Sequence, residues 1–224
     1  MNNLSQKEAF LEFEADGWFQ RNKNYIFNYS TENDRILSCL KNYSMSPLSV
    51  LEVGCSAGYR LNGIKKIYPD SNVYGVEPSK EAIEYGKLKY PDVSFLHSTA
   101  DDLSHFKDET FDLVIVGFVF YVVDRGLLIK SIAEIDRVLK NKGFIVLIDF
   151  FSEATVKRNY HHINDPGAFS FKQNYDEIFT ATRLYHLLDR STYSSATNEI
   201  NASEEFQNLI SISLLKKDNY ASYR

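Results

Sequence analysis

From residue 49 to residue 150, short apolar runs alternate with amphipathic segments of helical length, and this alternation is what most restricts the architecture. Ser49–Val53, Val73–Val76, Val93–Leu96, Phe111–Val116 and Phe144–Phe150 read as strands, and Tyr59–Ile67, Ser79–Leu88 and Leu127–Leu139 as helices. Ser79 follows Pro78 with Glu81 close behind, a capping pattern. The last helix carries Leu128, Ile132, Ile135 and Leu139 on one face, and Asn141-Lys142-Gly143 supplies a turn before the fifth strand. Such an order predicts an α/β fold: a doubly wound, mostly parallel sheet with helices on both faces. The flanks differ. Residues 5–40 are polar with Phe10, Phe13, Trp18, Ile26 and Phe27 at helical spacing, and Gly17 is expected to separate two helices. Near the C-terminus, Arg183–Ser191 and Phe206–Leu215 read as longer strands joined by the polar stretch Ser194–Ser203, an antiparallel pair closing one sheet edge. The expected organisation is one domain with four parts: an N-terminal helical lid (1–45), a core (46–151), an insertion on the substrate side (152–181) and the closing strands (182–224).

Composition removes several classes. The 16 Phe and 15 Tyr among 224 residues favour a pocket lined by rings. A net charge of -5 argues against nucleic acid as a partner, because neutralising phosphates needs a basic footprint. Cys39 and Cys55 do not make a disulfide framework. The N-terminus lacks the basic-then-apolar order of a signal peptide, and the most apolar run, Phe111–Val123, contains Asp112 and is too short to span a bilayer as a helix. These features lead us to expect a soluble cytoplasmic protein, monomer or homodimer, with a small-molecule substrate and no membrane partner.

The loop after the first strand, Gly54-Cys55-Ser56-Ala57-Gly58, admits two readings. It fits the G-x-S-x-G nucleophile elbow of hydrolases, with Ser56 as nucleophile. That elbow needs an oxyanion-hole loop upstream, yet nothing before Leu48 reads as a strand and no His-Gly-Gly stretch is present. The cofactor reading explains more residues. A loop after the first strand lies at the carboxyl edge of the sheet, where open α/β sheets bind ligands. Gly54 and Gly58 permit a sharp turn and close approach. Glu77 ends the second strand, where a carboxylate accepts hydrogen bonds from both hydroxyls of a ribose. A dinucleotide loop would carry a third glycine where Tyr59 stands, and Glu52 beside the loop would repel a pyrophosphate. The same carboxylate suits a ligand carrying an ammonium and a sulfonium, which favours S-adenosylmethionine.

Residues from about Leu48 to Phe151 resemble class I S-adenosylmethionine-dependent methyltransferases. The resemblance rests on four ordered motifs: Glu52-Val53-Gly54-Cys55-Ser56-Ala57-Gly58, with Ser56 replacing a middle glycine; Glu77-Pro78; Thr99-Ala100-Asp101-Asp102-Leu103; and Phe111–Val116 with the residues after it. It implies a Rossmann-like seven-stranded sheet with an antiparallel last strand, and S-adenosylhomocysteine as product. It further implies that Glu52, Gly54, Cys55, Ser56 and Gly58 frame the methionine portion and that Glu77 and Pro78 hold the ribose. Thr99, Ala100 and Asp101 would contact adenine, with Gly117 and Phe118 beside the sulfur. Many relatives have histidine where Tyr121 stands, so the position is a candidate catalytic residue with its basic role in question. In the family, N-terminal helices often cover the cofactor, which places Trp18 at the site and gives Arg21 reach to the methionine carboxylate.

For the acceptor, the segment Lys157-Arg158-Asn159-Tyr160-His161-His162-Ile163-Asn164-Asp165-Pro166-Gly167, continuing to Lys172, clusters histidines with cationic and aromatic residues after the fifth strand. His161 or His162 is the expected base, and Arg158, Tyr160 and Lys172 the expected substrate-binding groups. No metal is expected, since adjacent residues on extended backbone point opposite ways. Together with Asp16–Asn22, the segment resembles methyltransferases of surface-polysaccharide and sugar biosynthesis. This implies O-methylation of a sugar or nucleotide-linked sugar, against an N-methyltransferase on a small amine or a non-catalytic S-adenosylmethionine-binding protein.

Overall fold

The computed structural model describes residues 4–163, 168–195, 197–200 and 209–221. The alternating region gives β1 (Ser49–Val53), α4 (Tyr59–Ile67), β2 (Asn72–Glu77), α5 (Lys80–Lys89), β3 (Val93–His97), β4 (Phe111–Gly117), α6 (Leu128–Val138) and β5 (Leu139–Phe150). Before it lie α1 (Gln6–Ala9), a π-helical turn (Phe10–Glu14), α2 (Ala15–Phe27) and α3 (Arg35–Asn42). After it come the hairpin β6 (Val156–Asn159) and β7 (Phe169–Lys172), α7 (Asp176–Thr180), β8 (Tyr185–Ser194) and β9 (Leu209–Lys217).

Seven strands form one sheet in the order β3-β2-β1-β4-β5-β9-β8. The first five are parallel, and β9 runs antiparallel to both β5 and β8. The expected fold class therefore holds, including the antiparallel closing pair. Residues 206–208, assigned to the last strand from sequence, and 201–203 of the connection before it lie outside the described residues, as does Asn164–Gly167. The chain moves outward from β1 through β2 to β3, then crosses back to lay β4 on the other side of β1. That reversal opens a crevice at the carboxyl ends of β1 and β4.

Side chains alternate across the sheet with the period of two that strands impose. Leu51, Val53, Val114 and Val116 pack toward Ile135 and Val138 of α6. Val50, Leu113 and Ile115 pack toward Ile36, Leu37 and Leu40 of α3 and Leu61 and Ile64 of α4. Both faces are covered, which is why the central strands read as continuous apolar runs.

Two local expectations change. Asn141-Lys142-Gly143 is an irregularity inside β5 rather than the turn before it: Leu139 pairs with Phe111, the register shifts, and Phe144 pairs with Leu113. Gly17 does not break the N-terminal helix. The chain stays helical from Gln6 to Phe27, and its irregularity is the π turn at Phe10–Glu14. A Cβ at Gly17 would lie 3.3 Å from Arg21 Nη1 and 3.7 Å from Glu14 Oε2. Glycine at this position clears space for the ion pair that Arg21 and Glu14 form across one face of the helix.

Candidate functional site

At the crevice lies a cavity of about 430 Å³. Its floor comes from the loops after four parallel strands: Val53, Gly54 and Ser56 after β1, Val76, Glu77 and Pro78 at β2, Ser98–Asp101 after β3, and Gly117–Asp124 except Phe120 after β4. Its roof is the N-terminal helix, through Lys7, Phe10, Leu11, Glu14, Ala15, Trp18, Asn22 and Tyr25. The roof is tied down along its length. Gln6 Nε2 donates to the carbonyls of Val122 (2.7 Å) and Phe169 (3.1 Å), and Lys7 Nζ reaches both Asp101 oxygens at 2.8 Å. Ser79 Oγ donates to Asp16 Oδ1 at 2.6 Å, and Gln20 bonds Glu81.

Glu77 closes β2 with its side chain buried under the loop. Backbone N–H groups of Ser79 and Ser56 donate to its two oxygens, each at 2.8 Å. Burial pushes this carboxyl up to about 7 against those hydrogen bonds. Ser56 sits at φ 50°, in the left-handed region that favours glycine. Its hydroxyl oxygen is buried, lacks a hydrogen-bond partner and belongs to a cavity-lining residue. Gly54 also has positive φ, 74°, and a Cβ there would lie 2.5 Å from Val119.

Several residues expected to frame the cofactor lie below the cavity wall. Gly58, at φ 74°, caps α4 and faces Phe95, whose Cζ would be 2.6 Å from an added Cβ. Cys55 is buried with its sulfur packed against Gly75, and burial pushes its thiol well above the ordinary range. Glu52 is buried and answered by Arg60, whose Nη1 bonds Glu52 Oε1 while Nε donates to Asp34 at 2.8 Å. The charge attributed to Glu52 for a cationic ligand is thus shared with an internal arginine, although Glu52 Oε2 keeps no partner. Burial pushes the Glu52 carboxyl above its ordinary value despite Arg60. Burial also opposes the Arg60 charge, but Glu52 and Asp34 hold the guanidinium protonated.

Arg60 itself lines the cavity, and Arg21, expected to reach the methionine carboxylate, does not. Arg21 is engaged with Glu14. Thr99, Ala100 and Asp101 line the cavity as expected, but both Asp101 oxygens are occupied by Lys7 and one by Thr99. Burial works to raise the Asp101 carboxyl, yet those donors hold it below the ordinary range.

On the acceptor side, Tyr121 and Tyr160 line the cavity; His161 and His162 do not. Tyr160 takes the inward position after β6, and the two histidines after it are exposed, their rings 3.9 Å apart. Burial, Arg21 and His161 lower the His162 imidazole. Arg158 and Lys172 sit on the β6–β7 hairpin outside the lining, with the Lys172 ammonium 4.6 Å from the Phe150 ring centroid.

The residues that sequence reasoning missed are chiefly Glu14, Arg60 and Lys7. Glu14 had a readable signal: Phe10, Glu14 and Trp18 recur every four residues, so they share one helix face. All three line the cavity.

Known proteins share both the sequence pattern and the fold. The methyltransferase-domain family matches residues 51–147. Those residues, which run from β1 into β5, are thus similar to a methyltransferase domain. The ubiquinone/menaquinone biosynthesis C-methyltransferase of Campylobacter jejuni is 25% identical over 114 residues, 48% of this chain and 47% of that protein. The malonyl-[acyl-carrier protein] O-methyltransferase of Halalkalibacterium halodurans is 23% identical over 132 residues, 57% of this chain and 46% of that protein. This chain thus spans about half the length of these curated relatives. Among solved structures, 1,6-didemethyltoxoflavin-N1-methyltransferase of Burkholderia thailandensis, with its substrate and S-adenosylhomocysteine bound, superposes with a TM-score of 0.69. It is 11% identical, with 94% of this chain and 88% of that one covered, and so shares the methyltransferase fold.

Proposed function

We propose that this chain is an S-adenosylmethionine-dependent methyltransferase acting on a small molecule. The observation that carries this reading is one cavity at the switch point that brings together the Gly54–Ser56 turn, the Glu77 carboxylate and the Thr99–Asp101 loop. The residues fit the cofactor. Glu77 offers two oxygens to ribose hydroxyls, and Ser56 offers a buried hydroxyl lacking a partner. Arg60 supplies a cation suited to the methionine carboxylate. Thr99, Ala100 and Asp101 would border the adenine, and Gly117 and Phe118 the sulfur. When bound, the cofactor supplies a methyl group on a positively charged sulfur. The chain's own work is to align that group with the acceptor and to exclude water, which the tied-down N-terminal helix favours.

The lining also bears on the acceptor. Phe10, Trp18, Val119, Tyr121, Val122 and Tyr160 make a mostly apolar, aromatic wall with Glu14 set into it. The histidines and cations that suggested a sugar or nucleotide-linked sugar lie outside that wall. An aromatic or otherwise apolar acceptor bearing an O–H or N–H group fits better, and amine methylation stays on equal terms with oxygen methylation. Calorimetric titration with S-adenosylmethionine and S-adenosylhomocysteine tests the cofactor assignment, and binding of neither refutes it. Incubation with cofactor labelled in the methyl group and fractionated metabolites tests transfer. Cofactor binding with no labelled product would indicate a non-catalytic binding protein.

A further inference from the structure

We propose, on the basis of that methyltransferase reading, that Glu14 is the catalytic base: its carboxylate binds the O–H or N–H of the acceptor and removes the proton as the methyl group arrives. Glu14 ends the π turn, the one departure from α geometry in the N-terminal helix, and π turns of this kind frequently occur at functional sites. Its side chain is only 5% exposed. One carboxylate oxygen, Oε1, accepts from the Tyr160 hydroxyl and from Arg21. The other, Oε2, is buried and has no partner. A buried carboxylate oxygen without a donor is costly to keep. Glu14 borders the cavity, so a donor on a molecule held there can supply the missing hydrogen bond. Tyr160 and Arg21 fix the carboxylate through Oε1, and Tyr121, whose hydroxyl meets that of Tyr160, extends the polar cluster along the wall.

The step balances. A lone pair on the acceptor nitrogen or oxygen forms the bond to the methyl carbon while the carbon–sulfur bond breaks toward sulfur. The proton leaving the nucleophile passes to Oε2 of Glu14, and sulfur departs as a neutral thioether. Arg21 acts as a positioning residue through Oε1.

The test separates this assignment from the reading beneath it. Wild type and Glu14→Gln are first titrated with S-adenosylhomocysteine: equal affinity shows that the variant is folded with its cofactor site intact, and absence of binding to wild type defeats the methyltransferase reading itself. Benzylamine and toluene are then titrated into each S-adenosylhomocysteine complex by ligand-observed NMR. We expect Glu14→Gln to weaken benzylamine binding roughly tenfold to a hundredfold, the range set by a hydrogen bond to a charged group, and to leave toluene unchanged. Transfer of labelled methyl to a metabolite extract should collapse in Glu14→Ala and be partly restored by added formate, which replaces the missing carboxylate. Benzylamine affinity equal in wild type and Glu14→Gln, or formate-independent transfer by Glu14→Ala at the wild-type rate, overturns the assignment.

Discussion

Replacing Ser56 with glycine should stabilise the cofactor-free protein while weakening cofactor binding. Ser56 holds φ at 50°, and an L-residue in the left-handed region costs on the order of 1–2 kcal/mol relative to its preferred conformations. Its hydroxyl is buried with no partner, a desolvation cost of roughly 1–3 kcal/mol. Glycine removes both costs. Against this, glycine gains conformational freedom in the unfolded chain worth about 0.4–1 kcal/mol. Some packing is lost with the Cβ and hydroxyl, leaving a net stabilisation on the order of 1 kcal/mol. For a chain of this size that raises the unfolding midpoint by about 2–4 °C. Scanning calorimetry without ligand measures the first half, and titration with S-adenosylhomocysteine the second. If the Ser56 hydroxyl bonds the cofactor, affinity should fall by about fivefold, the equivalent of one neutral hydrogen bond. A lower melting temperature in the glycine variant refutes the strain argument. A wholly inactive variant that still binds cofactor would revive the serine-nucleophile reading.

Other perturbations probe the same geometry. Arg60→Met leaves Glu52 and Asp34 facing each other without their shared cation, and loss of a buried pair of this kind costs about 3–5 kcal/mol, which urea denaturation would register. Gly58→Ala strains a residue at φ 74° and drives a methyl into the Phe95 ring, so it should lower the melting temperature by at least about 4 °C; an unchanged midpoint contradicts the packing described. Glu77 has its carboxyl raised to about 7 by burial, so the folded protein holds a proton there that the unfolded chain releases in its ordinary range near 4.5. Its contribution therefore favours folding at and below pH 4.5 and is lost as pH rises to about 7. Because the ionised form accepts ribose hydroxyls best, cofactor affinity should strengthen from pH 6 to pH 8, and Glu77→Gln should flatten both dependences.

How much of this was legible in the sequence divides along physical lines. The sheet was legible because strands buried on both faces write themselves as apolar runs, and the placement of Gly54, Ser56 and Glu77 at the crevice was legible because each ends or follows a strand at the carboxyl edge of such a sheet. The hidden part depends on contacts between distant segments. That Arg60 answers Glu52 and Asp34, or that Lys7 occupies Asp101, is set only by which helix covers which strand end. His161 and His162 lie off the cavity wall for a related reason. Clustering in sequence signals shared location, but of Tyr160, His161 and His162 only Tyr160 lines the cavity. Gly17 looked like a break because glycine is a poor helix former, whereas clearance for an ion pair outweighs a propensity cost of about 1 kcal/mol.

Lys7, Glu14 and Gly17 all belong to the N-terminal helix, and that is where specificity should be sought. The floor of the cavity consists of strand-end loops whose positions are dictated by the sheet. The roof is under no such constraint. Phe10, Glu14 and Trp18 come from one helix face, and a π turn within that face sets the phase of Glu14 relative to its neighbours. Deleting Gly17, in the regular α geometry after the π turn, would rotate the segment before it by about 100° relative to the rest of the helix. Lys7 would then leave Asp101, Gln6 would leave Val122 and Glu14 would leave the cavity wall, while Trp18 would keep its place. Cofactor affinity in such a deletion should persist to the extent that the floor provides it, and methyl transfer should fail. If transfer survives the deletion, the roof is a cover and the acceptor is chosen elsewhere.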